Sequence, residues 1–202
     1  MDYQPRAAIV GAGPNGLTAA ARLAMAGWSV DIYERAGWAG GAAASSTEIF
    51  PGTIVDLGAA GHPFGVASPA FHALDLESHG LRWLNASYPM AHPLEGAPAG
   101  ILQSSLADTA AELGVDAHAW TRLHGHIVRH IDEHVANALT PLVRWPDRPR
   151  RLAQFGAAGT LPASQLGRAV LATPQARALF AGSAVHAITS PTRPFTSAFG
   201  LL

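Results

Sequence analysis

Apolar residues fall in runs and periods whose character changes along the chain. The run Ala7-Ala8-Ile9-Val10, closed by Gly11, is continuously apolar in the manner of a strand buried on both faces. From Asn15 to Ala26 small and apolar residues predict a helix on which Leu17, Ala20, Leu23 and Ala24 share one face, with Gly27 as its stop. "WSVDIY", Trp28 to Tyr33, alternates and carries the β-branched Val30 and Ile32, so it predicts a second strand. Strand, glycine turn, helix and strand make a βαβ unit, right-handed with parallel strands.

Beyond Glu34 the pattern loosens. "RAGWAGGAAASS" is too rich in small residues to pack and reads as a loop, and "EIFPGTIVDLG", Glu48 to Gly58, predicts a short strand or hairpin turning at Pro51-Gly52. Further strands are predicted at Leu81 to Leu84 and Ala99 to Gln103. From Ser104 on the pattern is helical: Ser104 to Leu113, Asp116 to about Leu139, Ala163 to Leu171 and Pro174 to His186, with Ser, Asp and Thr near the starts as caps. The expected architecture is α/β: a Rossmann-like βαβ dinucleotide-binding portion over residues 1–63, followed by an α+β, mostly helical portion over residues 64–202.

Composition narrows the chemistry. The 202 residues carry 13 basic side chains, all arginine, against 14 acids, a net charge of −1 that gathers neither nucleic acid nor an anionic membrane surface. "RWPDRPRR", Arg144 to Arg151, is the densest basic patch and reads as a solvated linker between helices. With no lysine there is no Walker lysine and no Schiff base, and with no cysteine no thiol nucleophile, disulfide pair or thiolate metal site. "MDYQPR" lacks the charge and apolar run of a signal peptide, and no apolar stretch is long enough to span a membrane. A cytoplasmic location is the default expectation.

Gly11, Gly13 and Gly16 form G-x-G-x-x-G between the strand and the helix. In this setting the first glycine permits the tight turn, the second lets the backbone approach a pyrophosphate, and the third lets helix and strand pack closely. Pro14 and Asn15 open the helix, whose free N–H groups and positive dipole end face the phosphates. Glu34, at the end of the second strand, is placed to accept from the adenosine ribose hydroxyls and to repel a 2′-phosphate, which favours NAD or FAD over NADP. Arg35 reads equally as a surface arginine or as an adenine or phosphate contact. The alternative to a dinucleotide site is a glycine turn used only for packing.

The stretch "GAGPNGLTAAARLAMAGWSVDIYERAGWAGGAA" resembles the N-terminus of FAD-dependent oxidoreductases of the phytoene desaturase-like and amine oxidase-like group. The resemblance implies FAD as cofactor, with Gly40 and Gly41 lying against it near the pyrophosphate. Many members place an arginine directly after that pair; Ala42 stands here, so that contact is absent or made by backbone. "VDLGAAGHP", Val55 to Pro63, is similar to the family's D-x-G segment near the flavin ring, and "HGLRWL", "AHPLEG" and "ARALFAGSAVHA" extend a weaker likeness over nearly the whole chain.

Members of the family are much longer, so the resemblance implies that these residues are an N-terminal portion with an incomplete FAD-binding domain, whether a truncated product, a fragment or one half of a split protein. The partners it implies are a second chain that supplies the C-terminal half or further copies of this chain. The implied activity takes a hydride equivalent from an organic, apolar small-molecule substrate such as a polyene or an amine, and no residue is singled out as its catalytic base. The alternatives are a truncated, non-catalytic nucleotide-binding or partner-binding fragment and an NAD-dependent dehydrogenase.

Histidines supply the remaining candidates. On a single helix His126, His130 and His134 would stand at i, i+4 and i+8, a spacing that can share a metal; the plainer reading leaves them on a partly solvated face with Arg129 and Glu133, beside an apolar stripe of Ile127, Val128, Ile131 and Val135. No metal site is expected. His62 is either a proton carrier, ring contact or flavin attachment point, or a loop histidine before Pro63, and Asp56 either orients backbone near the cofactor or caps a turn. His92 and His186 read as core histidines, and no G-x-S-x-G elbow is present.

Overall fold

A computed structural model describes residues 4–59, 61–138 and 149–202 of the protein. It forms two compact units, Met1–Trp83 and Leu84–Leu202. Residues 64–83, which the sequence pattern groups with the helical portion, lie in the first of these, where the Trp83 ring closes on Gly65.

In the first unit β1 (Arg6–Val10) pairs in parallel with β2 (Ser29–Tyr33), Arg6 opposite Ser29 through to Val10 opposite Tyr33. Helix α1 (Pro14–Met25) connects them. It starts because Gly13 is extended and Pro14, lacking an N–H, takes the first turn; it stops where Gly27 adopts a φ of +85° and the N–H groups of Ala26, Gly27 and Trp28 close on the last turn. The expected βαβ is therefore present, its element ends within about two residues of those predicted, the usual scatter at frayed termini.

The expected hairpin is wider than its sequence signal. Strands β3 (Ser45–Ser46) and β4 (Val55–Asp56) pair antiparallel, Ser45 opposite Asp56, around a loop in which Gly52 takes a φ of +76°. Ser45 and Ser46 fall in the stretch predicted to be loop. Two short helices unforeseen in the sequence follow, α2 (Pro63–Val66) and α3 (Pro69–Ala73), the latter capped by the Ser68 hydroxyl accepting from the Phe71 N–H. The strand expected at Leu81 to Leu84 is not formed: the alternation is real, with Leu81 and Trp83 partly buried and Arg82 and Leu84 exposed, but among the described residues it pairs with no strand.

The second unit opens with a hairpin of β5 (Met90–Leu94) and β6 (Ala97–Leu102), turning at Gly96 with a φ of +70° and slipping register between His92 and Leu94, where Pro93 has no N–H to give. Helices α4 (Leu106–Glu112), α5 (Ala117–Arg129), α6 (Ile131–Ala138), α7 (Pro149–Gly159), α8 (Ala163–Val170), α9 (Pro174–Ala184) and α10 (Thr196–Leu201) follow. The single helix expected from Asp116 to about Leu139 is broken at His130, whose φ of −127° and ψ of 28° leave the helical region; its carbonyl restarts the chain as α6 by accepting from Glu133 and His134. Leu139 lies outside the described residues, as do Arg144 to Arg148 of the basic patch. Pro149 to Arg151 of that patch form the first turn of α7 rather than a linker, a place where proline loses no needed donor.

The unit is built around α9, whose Ala176, Leu179 and Phe180 are fully buried against Trp120 and Ile127 of α5, Leu166 of α8 and Leu201 of α10. The predicted stripe of α5 and α6 is thereby rotated: Trp120, His124 and Ile127 face inward, while Val128 and Ile131 are exposed. Asp116, 2% exposed, ties the start of α5 to that of α9. Its carboxylate accepts from the N–H of Ala172 at 2.6 Å and from the N–H and hydroxyl of Thr173 at 2.8 and 2.6 Å.

Candidate dinucleotide-binding site

The glycine loop runs from the end of β1 into α1, and its three glycines are glycines for different reasons. Gly11 adopts a φ of +99° and donates its N–H to the Tyr33 carbonyl at 2.8 Å, so the backbone itself demands it. Gly16 is demanded by packing, because a Cβ there would collide with the Gly11 carbonyl oxygen. Gly13 is demanded by neither. Its φ of −79° suits any residue, and a Cβ would meet only the Gly41 Cα at an ordinary 3.8 Å.

Glu34 leaves β2 pointing back at this loop. Its Oε2 accepts from the Ala12 N–H at 2.7 Å and its Oε1 from the Ala36 N–H at 2.8 Å, so the carboxylate ties the end of β2 to the centre of the glycine loop. The N–H of Ala36, then that of Ala12, hold its carboxyl below the usual range despite some desolvation, and the neighbouring Arg35 charge adds to this. Each oxygen keeps a second acceptor position for a hydroxyl. Arg35, Pro14 and Asn15 are exposed.

Gly40 and Gly41 come to the same loop from the other side. Gly40 donates its N–H to the Ala12 carbonyl at 2.7 Å, and a Cβ on Gly41 would stand 2.9 Å from the Gly13 Cα. The pair takes φ values of +119° and +54° to do so, then turns through one tight helical turn, Gly41–Ala43. A third layer is set on the second: the N–H of Ala59 donates to the Ala42 carbonyl at 2.6 Å, that of Leu57 to the Ala44 carbonyl at 2.9 Å, and Gly58 packs on Ala42. Asp56 accepts from the Ser45 hydroxyl at 2.8 Å across the β3–β4 pair, and His62 is an exposed residue at the start of α2.

The structure thus gathers Gly11, Gly13, Gly16, Glu34, Gly40, Gly41 and Ala42 in one place. The contributors that sequence reasoning missed are backbone groups, the N–H of Ala12 and Ala36 and the carbonyl of Ala42, which no side-chain pattern marks. Gly58 in "VDLG" was the one visible trace of the third layer. The residues present fit a dinucleotide: the first-turn N–H groups of α1 are unpartnered within the helix by geometry, Gly13 leaves room beside them, and the Glu34 carboxylate stands at the end of β2 against the same loop.

The other histidine candidates sit in the second unit. The rings of His126 and His130 lie 4.9 Å apart and those of His126 and His134 5.9 Å, across the break between α5 and α6. His134 is buried against Phe155 rather than on a solvated face. Among the described residues no group of three or more His, Cys, Asp or Glu is placed to hold a metal ion. Burial, then the charge of His186, pushes the His92 pKa down, and Gly182 leaves room for the His92 ring; His186 itself is exposed.

Residues 9–75 match the family model of the NAD(P)-binding Rossmann-like domain, a span that runs from β1 through α3. The first unit holds a Rossmann-like domain. Among solved structures the chain is similar to a putrescine oxidase, determined during a structure-based redesign of its cofactor binding, at 19% identity and a TM-score of 0.55; the match covers 97% of this chain and 40% of that one. The chain therefore spans 40% of the length of the oxidase whose fold it shares. No curated protein matches the chain. Among the described residues no helix is long and apolar enough to cross a membrane.

Proposed function

We propose that this chain holds FAD for a cytoplasmic oxidoreductase that takes a hydride equivalent from an organic, apolar or amine substrate. The observation that carries the reading is Gly13. Neither its dihedrals nor its neighbours require glycine, which leaves space for a ligand as the reason for its missing side chain.

In this reading the first-turn N–H groups of α1 hold the pyrophosphate, with Pro14 and Asn15 at its rim. Glu34, kept anionic by two backbone donors, accepts the ribose hydroxyls with its remaining lone pairs and repels a 2′-phosphate. Gly40 and Gly41 approach the phosphates from the opposite side, and Ala42 offers backbone where an arginine would offer charge. Arg35 offsets phosphate charge at the open edge. FAD, when bound, supplies the hydride-accepting chemistry, and the protein's share is to bind, orient and exclude water. The likeness to the putrescine oxidase fold supports an oxidase or dehydrogenase of this kind.

The absorbance spectrum of the purified chain tests the reading. A stoichiometric flavin band, present as isolated or after incubation with FAD, supports it; a colourless chain that binds NAD instead overturns the choice of cofactor. A second reading, a nucleotide-binding or partner-binding fragment without its own turnover, is favoured by the outer edge of β1, where Val10 is 89% exposed and β2 is the strand's only partner among the described residues. A chain that binds FAD yet bleaches with neither amines nor polyenes until a second polypeptide is added would establish it.

A further inference from the structure

The second unit contains a cavity of about 350 Å³ that the dinucleotide reading does not use. Small-molecule sites run from roughly 300 to 1,000 Å³ and pair an apolar wall with a few convergent polar groups. Here the wall is Leu123 and Ile127 of α5, Phe155 of α7 and Val170 of α8. Helix α5 lines it with positions 119, 122, 123, 126 and 127, one continuous face at helical spacing.

The polar groups are Arg122, His126 and Gln154, and they are not equivalent. Arg151 occupies two of them: its Nη1 donates to His126 Nε2 at 2.6 Å and to Gln154 Oε1 at 3.3 Å, while its Nε faces Glu133 at 3.5 Å. Accepting at Nε2 leaves His126 a neutral imidazole with its proton on Nδ1. Arg122 differs: among the described residues no carboxylate pairs with it. Beside the cavity His134 is 4% exposed, yet among the described residues its Nε2 has no hydrogen-bond partner, and its ring lies 5.9 Å from that of His126 and 5.4 Å from that of Phe155, both lining residues. Buried polar atoms are rarely left so. An unpaired cation over an apolar pocket, with an unsatisfied buried nitrogen beside it, is matched by a ligand with an anionic head and a hydrocarbon body.

We propose that this cavity binds a small amphipathic carboxylate, its apolar body against Leu123, Ile127, Phe155 and Val170 and its head on Arg122. The charge of Arg122 distinguishes the carboxylate from a neutral molecule of the same shape.

Isothermal titration of the full chain with sodium octanoate and with octanamide tests this. Octanoate is expected to bind one per chain and at least tenfold tighter than octanamide. Arg122→Gln, a change at an exposed position, is expected to bring octanoate down to the octanamide affinity. Ala158→Phe, which fills the cavity, is expected to remove binding of both while the far-UV circular dichroism is kept; Ala119→Met serves if that variant does not fold. No octanoate binding by the folded chain, equal affinities for the two probes, or an unchanged preference in Arg122→Gln would each overturn the proposal.

Discussion

The two units of this chain are held together by different means. In the second, buried leucines, isoleucine, tryptophan and phenylalanine form one continuous cluster about α9. In the first, the buried apolar residues are Ala12, Ala20, Ala44 and Leu74, and the loops are joined by glycine contacts and main-chain hydrogen bonds. A core of large side chains can relax around a change, whereas backbone set on backbone has nothing to move. Apolar burial therefore governs the stability of the helical unit, and backbone geometry governs the shape of the glycine-rich one.

The largest expected effect breaks the core. Phe180→Ala should cost about 3–5 kcal/mol, the usual range for a fully buried phenylalanine, read by urea denaturation with far-UV circular dichroism; a loss below about 1 kcal/mol would end the contrast between the units. Next is Asp116→Ala, which removes the acceptor of three hydrogen bonds and should cost about 2–3 kcal/mol. Burial pushes the Asp116 carboxyl up, but the N–H of Ala172, the hydroxyl and N–H of Thr173 and the charge of Arg177 outweigh it and hold the pKa below the ordinary value. A depressed folded-state pKa contributes stability that is complete above the unfolded value and is lost as pH falls through the folded one. The wild-type advantage over Asp116→Asn in thermal melts should accordingly be full at neutral pH and shrink in the acid range; a constant difference would remove the carboxylate from the account.

Two smaller changes probe the glycine-rich unit. Glu34→Gln should weaken FAD binding roughly tenfold or more, since a charge-assisted acceptor for the ribose becomes a neutral amide, and an unchanged Kd by fluorescence quenching would take the ribose from Glu34. Gly13→Ala should change the melting stability least, by less than about 1 kcal/mol, because its φ and surroundings accept a methyl group. The same variant should lose bound FAD. A variant that melts like wild type and purifies yellow would show that Gly13 serves no ligand.

Legibility in the sequence followed the range of the forces. The β1–α1–β2 unit was readable because each element is specified within its own residues: a β-branched strand, a proline-opened helix, a glycine stop. The helix break at His130 was not, since no proline or glycine marks it and it lets His134 reach Phe155 on α7, a contact distant in sequence. Proline misled twice. Pro93 hid β5, which tolerates it only through a register slip, and Pro149 made the first turn of α7 look like a linker. At the site the glycines and Glu34 were visible, but their placement depends on the N–H of Ala12 and Ala36, which every residue except proline possesses.

The contact of Gly41 with Gly13 also constrains how such a sequence can drift. A side chain at position 41 would have to displace the Gly13 backbone, and one at position 40 would strike Ala44, so neither residue can be exchanged singly while the other loop stays where it is. The stretch from Arg35 to Ala39, exposed except for the half-buried Ala36, carries no such veto apart from the Ala36 N–H. In a library of recombined homologues, crossovers between the two glycine loops should survive only when both parents share the same spacing on either side of this stretch, and a side chain at 41 should be rejected whatever residue stands at 13, 28 positions earlier in the numbering.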